Sequence, residues 1–159
     1  YAGQVLGCDT SCALEIEKKV DCFLYIGTGE FHPLGVFIKT NKPVFILNPF
    51  SKKTRQISGK ERVAYERRRS IVISKAKDAY NYGILVSIKP GQNNLKKALE
   101  IKKKIEKKGK FAFIFLFDTL DSKEFLNFNW IEAWINTACP RIIDDSFEKP
   151  VINAEEFSI

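Results

Sequence analysis

Four cysteines and one histidine are the side chains of this sequence best suited to metal or nucleophile chemistry: Cys8, Cys12, Cys22, Cys139 and His32. Cys8 and Cys12 have the C-x-x-x-C spacing that opens the C-x-x-x-C-x-x-C cluster motif of radical enzymes, but Glu15 occupies the third position and leaves the motif incomplete. Zinc ribbons and two-cluster ferredoxins need cysteine pairs at other spacings, and neither pattern is present. Cys22 falls in an apolar run and reads as a small core residue. Cys139, within Asn136-Thr137-Ala138-Cys139-Pro140-Arg141, follows an apolar run and precedes a cation, where a thiolate would be exposed and favoured; a packing role is equally compatible with its position. With His32 as the single histidine, no dyad, metal pair or Ser-His-Asp triad can be built on a second imidazole. His32 itself is open to two readings, a ligand hydrogen bond or a packed ring satisfied by backbone. Gly27-Thr28-Gly29 supplies the first half of a dinucleotide fingerprint, but His32 stands at the third glycine position and no helix-opening pattern follows, so an NAD site is not expected.

The elements that must position these residues read as alternating strands and helices. Short apolar runs bounded by turn residues predict strands at Cys22 to Ile26, Val44 to Leu47, Gly83 to Ile88, Phe111 to Phe117 and Ile131 to Ile135. A helix is predicted from a capping box at Ser58-Gly59-Lys60-Glu61 toward Tyr80, with Ala64, Ile71, Val72, Ala76 and Ala79 on one face. Arg67, Arg68 and Arg69 span most of a turn, so they cannot all be buried. A second helix, capped by Asn93 or Asn94, carries Leu95, Ala98, Ile101 and Ile105 at 3 and 4 spacing and stops at Gly109 after Lys107-Lys108. Phe111, Phe113, Phe115 and Phe117 share one face of their strand and Ala112, Ile114 and Leu116 fill the other. That pattern predicts a central strand of a covered parallel sheet. The fold class expected is α/β, with small parallel sheets flanked by helices and right-handed crossovers.

In such sheets ligands sit beyond the carboxyl ends of the strands. Four predicted strand ends lead into turn-rich loops: Gly27 to Pro33, Asn48 to Ser51, Lys89 to Gln92 and Asn136 to Arg141. Each loop alone is unremarkable in composition, but together they make a candidate rim.

Composition bounds the function classes. The 159 residues are 45% hydrophobic and 28% charged, enough apolar material for a core and unlike a disordered, collagenous or disulfide-framed chain. No apolar run approaches the roughly 20 residues of a membrane span, and the first residues lack a signal-peptide pattern, so a cytoplasmic location without membrane contact is expected. The sequence begins at Tyr1 and has no methionine, and is read as a piece of a longer product. Its charge is concentrated: residues 52–110 carry 19 basic and 5 acidic side chains, against 4 and 5 before them and 3 and 9 after. A block of that kind can face RNA, phosphate or an acidic protein, or form solvated helix faces; the helical spacing of the lysines favours solvated faces.

Five segments together resemble one family. Gly3-Gln4-Val5-Leu6-Gly7-Cys8, Gly29-Glu30-Phe31-His32-Pro33, Asn48-Pro49-Phe50-Ser51, Gly83-Ile84-Leu85-Val86-Ser87 with Gly91-Gln92, and Asn136-Thr137-Ala138-Cys139-Pro140-Arg141 occur in the order expected of the archaeal diphthamide-synthesis enzymes, the 2-(3-amino-3-carboxypropyl)histidine synthases. The resemblance runs over essentially the whole chain, to Pro150-Val151-Ile152-Asn153. It implies parts of two of three similar α/β domains: residues 1–57 as the back part of the second, 58–81 as a connecting helix and 82–159 as the third, with the first domain absent. It also implies a [4Fe-4S] cluster held by one cysteine per domain, here Cys8 and Cys139, and S-adenosylmethionine as cofactor. Gly27, Gly29, His32, Asn48, Gln92 and Arg141 are the rim residues assigned to that cofactor. The implied reaction transfers a 3-amino-3-carboxypropyl group by a radical mechanism to a histidine of translation elongation factor two. A homodimer is expected, with no DNA and only indirect RNA contact, and a chain lacking the first-domain cysteine is expected to be inactive alone. The competing expectation is a non-catalytic α/β module or partner subunit that uses its basic surface to bind RNA or a translation factor.

Overall fold

Apolar runs of four to seven residues place most of the strands. The computed structural model describes residues 3, 5 and 9–158, which fall into two compact units, 1–67 and 68–159.

In the first unit, helix α1 (Ser11–Ile16) precedes strand β1 (Phe23–Ile26), helix α2 (Phe31–Lys39), strand β2 (Val44–Leu47) and strand β3 (Thr54–Gln56). β1 and β2 are parallel, with Ile26 opposite Leu47, and β3 returns antiparallel on β2. Alternation along β1 turns Phe23 and Tyr25 toward a core of Ala13, Val36, Val44, Ile46 and Ile57. Two expectations fail here. The stretch after Gly29 is not all loop: α2 opens at Phe31 and takes in His32 and Pro33. A proline in the first turn gives up an amide that has no intrahelical acceptor, so it can open a helix as readily as end a strand loop. Cys22 is not a core residue but lies exposed just before β1.

Helix α3 (Gly59–Lys77) starts from the expected capping box. The Ser58 N–H donates to Glu61 Oε2 at 2.8 Å, and the Glu61 N–H reaches Ser58 Oγ at 3.4 Å. The Ser58 N–H, its hydroxyl and the Arg55 guanidinium together hold the Glu61 carboxyl below its ordinary range. The buried stripe of α3 differs from the one expected. Ala64 and Ile71 are exposed, while Arg69, Val72, Ile73 and Ala76 turn inward at i, i+3, i+4 and i+7. Arg69 leads that stripe because its charge is matched. Its Nε and Nη2 reach the two oxygens of Glu156 at 3.0 and 2.6 Å, and Nη2 also reaches the Val151 carbonyl at 3.2 Å. Arg67 and Arg68 stay exposed.

The second unit contains strand β4 (Asn81–Ser87), helix α4 (Leu95–Glu106), strand β5 (Phe111–Phe117), strand β6 (Ala133–Asn136) and strand β7 (Val151–Asn153). All four strands are parallel, in the order β5-β4-β6-β7. The phenylalanine-rich strand β5 therefore lies at the sheet edge, contrary to expectation, with Phe111, Phe113 and Leu116 exposed. The central position belongs to β4, whose six residues from Tyr82 to Ser87 are all buried. Two-sided apolar patterning fits β5 because Phe115 and Phe117 pack into an aromatic cluster around Trp134 while Ala112 and Ile114 meet the core beneath α4. Gly83 is paired with Trp134 across β4 and β6, and a Cβ there would lie 2.3 Å from the indole ring, so glycine is what lets the indole seat against the strand. On α4, Ala98, Ile101 and Ile105 are buried as expected, Leu95 is 42% exposed, and Gly109 closes the helix with a φ of +73°. Lys96, Lys103 and Lys104 lie on its exposed face and Lys107 and Lys108 are exposed just beyond it, so part of the basic block is solvated helix surface. Among the described residues no helix is long and apolar enough to cross a membrane.

Candidate cluster-ligand site

The parallel pairing of β1 with β2 brings the loops after Ile26 and Leu47 side by side at one rim of the first unit. Gly27 donates its N–H to the Leu47 carbonyl at 3.0 Å, and a Cβ on it would lie 2.8 Å from the Tyr25 hydroxyl. Gly29 has a φ of +87°, which allows the chain to turn into α2. His32, in the first turn of α2, packs 6.2 Å from the Tyr25 ring and 5.5 Å from Phe31; its Nδ1 is buried with no hydrogen-bond partner among the described residues. Asn48 is occupied by its own turn, its Oδ1 accepting the N–H groups of Phe50 at 2.9 Å and Ser51 at 3.1 Å. Arg55, which sequence reasoning did not single out, bridges Glu30 at 2.6 Å beside this rim. Gly27, Gly29, His32 and Asn48 are thus brought to one place in the fold. Cys8 lies outside the described residues. Cys12 is half-buried on α1 and lines an apolar cavity of about 670 Å³ with Ala13, Ile16, Phe23 and Val36.

The rim of the second unit is built around Cys139. β6 ends at Asn136, and the loop that follows enters a 3-10 helix, Pro140–Asp144, with Cys139 as its N-cap residue. Cys139 is a half-buried free thiol. Its loop is held from several sides. Thr137 donates both its N–H, at 3.1 Å, and its hydroxyl, at 2.7 Å, to the Leu85 carbonyl of β4. Asn94, at the start of α4, donates its side-chain amide to the Thr137 carbonyl at 2.6 Å. Asn136 spans the turn, accepting the Ala138 N–H at 2.9 Å and donating to the Cys139 carbonyl at 2.8 Å. It also donates to Asn153 Oδ1 at 2.8 Å, across the β6–β7 pair. Gln92 is half-buried in the neighbouring turn after β4, its N–H on the Lys89 carbonyl at 3.1 Å, and Arg141 is exposed two residues beyond Cys139. Sequence reasoning missed Asn94 and Asn153 as supports of this loop. The only signal for Asn153 was its place directly after an apolar run, the same place that Asn136 holds.

The two units repeat one local order: a cysteine, a short helix, then a strand. Cys8 precedes α1 and β1 as Cys139 precedes the 3-10 helix and β7. Among the described residues no group of three or more His, Cys, Asp or Glu side chains could hold a metal ion. Cys139 is a thiol, a donor of the kind that iron-sulfur sites use, on the rim of the second unit.

A family model described as "Putative diphthamide synthesis protein" matches residues 1–159. The chain is 36% identical over 162 residues to the 2-(3-amino-3-carboxypropyl)histidine synthase of Pyrococcus horikoshii, covering all of this chain and 45% of that protein. It is 35% identical to the synthase of Methanocaldococcus jannaschii, over 89% of this chain and 43% of the relative. Identity to synthase subunit 1 of Caenorhabditis elegans is 30%, over 99% of this chain and 40% of the relative. The crystal structure of Dph2 from Pyrococcus horikoshii with a 4Fe-4S cluster matches at a TM-score of 0.83 and 37% identity, over 97% of this chain and 43% of its own. The chain thus spans less than half the length of these relatives. Its full-length family match and its shared α/β fold have one meaning: the chain belongs to the diphthamide synthesis protein family.

Proposed function

We propose that this chain is part of a 2-(3-amino-3-carboxypropyl)histidine synthase, in which Cys139 is a thiolate ligand of a [4Fe-4S] cluster and Cys8 is a second. The observation that carries the reading is Cys139 itself: a free thiol at a strand end, on a loop tied down by three asparagines and a threonine. Such fixing of a ligand-bearing loop is what a metal site needs and a packing cysteine does not. In this reading residues 1–57 are the back part of the second family domain and 82–159 the third, joined by the helix between them.

The reaction proposed is transfer of a 3-amino-3-carboxypropyl group from S-adenosylmethionine to a histidine of translation elongation factor two, by a radical route. A bound cluster would supply the electron that breaks the sulfonium C–S bond. The chain's own residues hold and orient. The Asn136 amide sets the direction of the Cys139 side chain, and Thr137 anchors the loop to β4. Gln92 and Arg141, an amide and a cation, are proposed to bind the carboxylate of the amino-acid moiety. In the first unit Gly27, Gly29, His32 and Asn48 are proposed as cofactor-binding residues on the strength of the family resemblance.

The test is an anaerobic assay of the intact protein, with reductant, S-adenosylmethionine labelled in its aminocarboxypropyl group, and archaeal elongation factor two. Label is expected to enter the factor and to be lost with Cys139→Ala. Label transfer unchanged by Cys139→Ala would overturn the assignment.

A further inference from the structure

Asn136 is 2% exposed, yet every hydrogen-bonding function of its side chain that faces the cysteine loop is used. Its Oδ1 takes the Ala138 N–H at 2.9 Å, and its Nδ2 donates to the Cys139 carbonyl and to Asn153 Oδ1, each at 2.8 Å. The peptide group before Ala138 and the one after Cys139 are therefore tied to one side chain. The Cys139 carbonyl is held a second time by the Ile142 N–H at 3.1 Å, and Asn153 Nδ2 lies 3.4 Å from the Pro140 carbonyl. Asn136 and Asn153 are register partners in β6 and β7, so the sheet itself presents the two amides to each other. Cys139 has φ −66° and ψ 122°, its carbonyl is held at two points, and the proline that follows restricts it to extended backbone, so the direction of its Cα–Cβ bond depends on this bonded loop. A buried amide costs free energy unless its partners are present, and here all of them belong to the loop or its support.

We propose that Asn136 is a positioning residue for the reaction, acting through Cys139: its amide, backed by Asn153, fixes the backbone of the cluster ligand and so the geometry and retention of the cluster. The inference rests on the reading of Cys139 as that ligand. Neither asparagine touches substrate or cofactor in this scheme, and the effect passes through the backbone of residues 138–140.

The experiment uses the intact protein in two forms, cluster-free and reconstituted anaerobically with iron and sulfide. Three quantities are measured: backbone amide exchange at Ala138, Cys139, Arg141 and Ile142 in the cluster-free form, iron release to a chelator, and the electron paramagnetic resonance spectrum of the reduced cluster. Asn136→Ala is expected to raise exchange at Ala138 about tenfold. It should speed iron release by about 10- to 100-fold, as loss of a supporting partner of a metal ligand does, and shift the spectrum. Asn136→Asp keeps an acceptor for the Ala138 N–H and loses the donor to the Cys139 carbonyl, so exchange at Ala138 should stay slow while iron release still rises. If Asn136→Ala does not fold, Asn153→Ala carries the test, with the same direction and a smaller change. Folded variants with wild-type iron release and spectrum would overturn the proposal. Cys139→Ala separates this failure from that of the ligand reading: wild-type iron content in that variant would remove the ligand itself, whereas loss of iron there beside unchanged Asn136 variants would overturn the positioning role alone.

Discussion

Replacing Arg69 by methionine should cost the second unit about 3 kcal/mol. The guanidinium is buried at 5% exposure and makes three hydrogen bonds, two to Glu156 and one to the Val151 carbonyl. Methionine fills much of the same volume but leaves the Glu156 carboxylate facing the vacated site. Breaking a buried pair from one side costs about 3–5 kcal/mol, and the 22% exposure of the Glu156 side chain admits enough water to favour the lower figure. Glu156 Oε2 also accepts the Asn153 N–H at 2.8 Å, so the damage reaches the support of the Cys139 loop. Urea unfolding followed by tryptophan fluorescence is the assay, because both tryptophans, Trp130 and Trp134, lie in this unit. With a slope of roughly 1–3 kcal/mol per molar, the midpoint should fall by about 1–3 M. Lys97→Met is the control: its pair with Glu155 is largely exposed and should be worth less than about 1 kcal/mol. A combined Arg69→Met and Glu156→Leu variant should recover part of the loss, since no carboxylate is then stranded. If Arg69→Met lowers the midpoint no more than Lys97→Met does, the pair is not a determinant of this unit.

Gly83→Ala should destabilise by about 1–3 kcal/mol, because its Cβ would stand 2.3 Å from the Trp134 ring in a packed core; a fluorescence spectrum and urea midpoint unchanged from wild type would refute the close contact. Glu132 should give the unit an acid-sensitive component of stability. Its carboxylate accepts the N–H groups of Tyr80 and Asn81, which lower its pKa from the ordinary 4.5. A depressed folded pKa means the contribution is present above 4.5 and is lost as pH falls through the lower folded value. Glu132→Gln should therefore flatten the acid limb of the stability profile while changing its slope little above pH 6, and an identical acid limb would contradict this.

Much of this fold was legible because its signals are local. The Ser58–Glu61 capping box, the apolar spacing of Ala98, Ile101 and Ile105, and the strands at Val44 and Phe111 all follow from short-range pattern. What was missed depends on partners distant in sequence. Nothing near Phe111–Phe117 says that the strand has one neighbour rather than two, since its aromatic face is covered by Phe128, Trp130 and Trp134 whether or not a second strand pairs at its edge. Arg69 reads as a surface residue until Glu156, 87 positions away, is known to lie against it. The same holds at the candidate site. Cys139 stands out by its type and its loop, whereas Asn94 and Asn153 acquire their roles only through contacts 43 and 17 residues long in sequence. His32 was misplaced in a loop because a proline one residue later reads as a helix breaker, though in a first turn it is compatible with a helix start.

The most direct measurement of the proposed chemistry is iron and sulfide content, with the spectrum of the reduced cluster, in the intact protein and its Cys139→Ala variant. Wild type should hold about four irons per cluster site, with a variant that folds normally but has lost them. A Cys139→Ala protein with the iron content and spectrum of wild type would contradict the assignment of Cys139 as a cluster ligand.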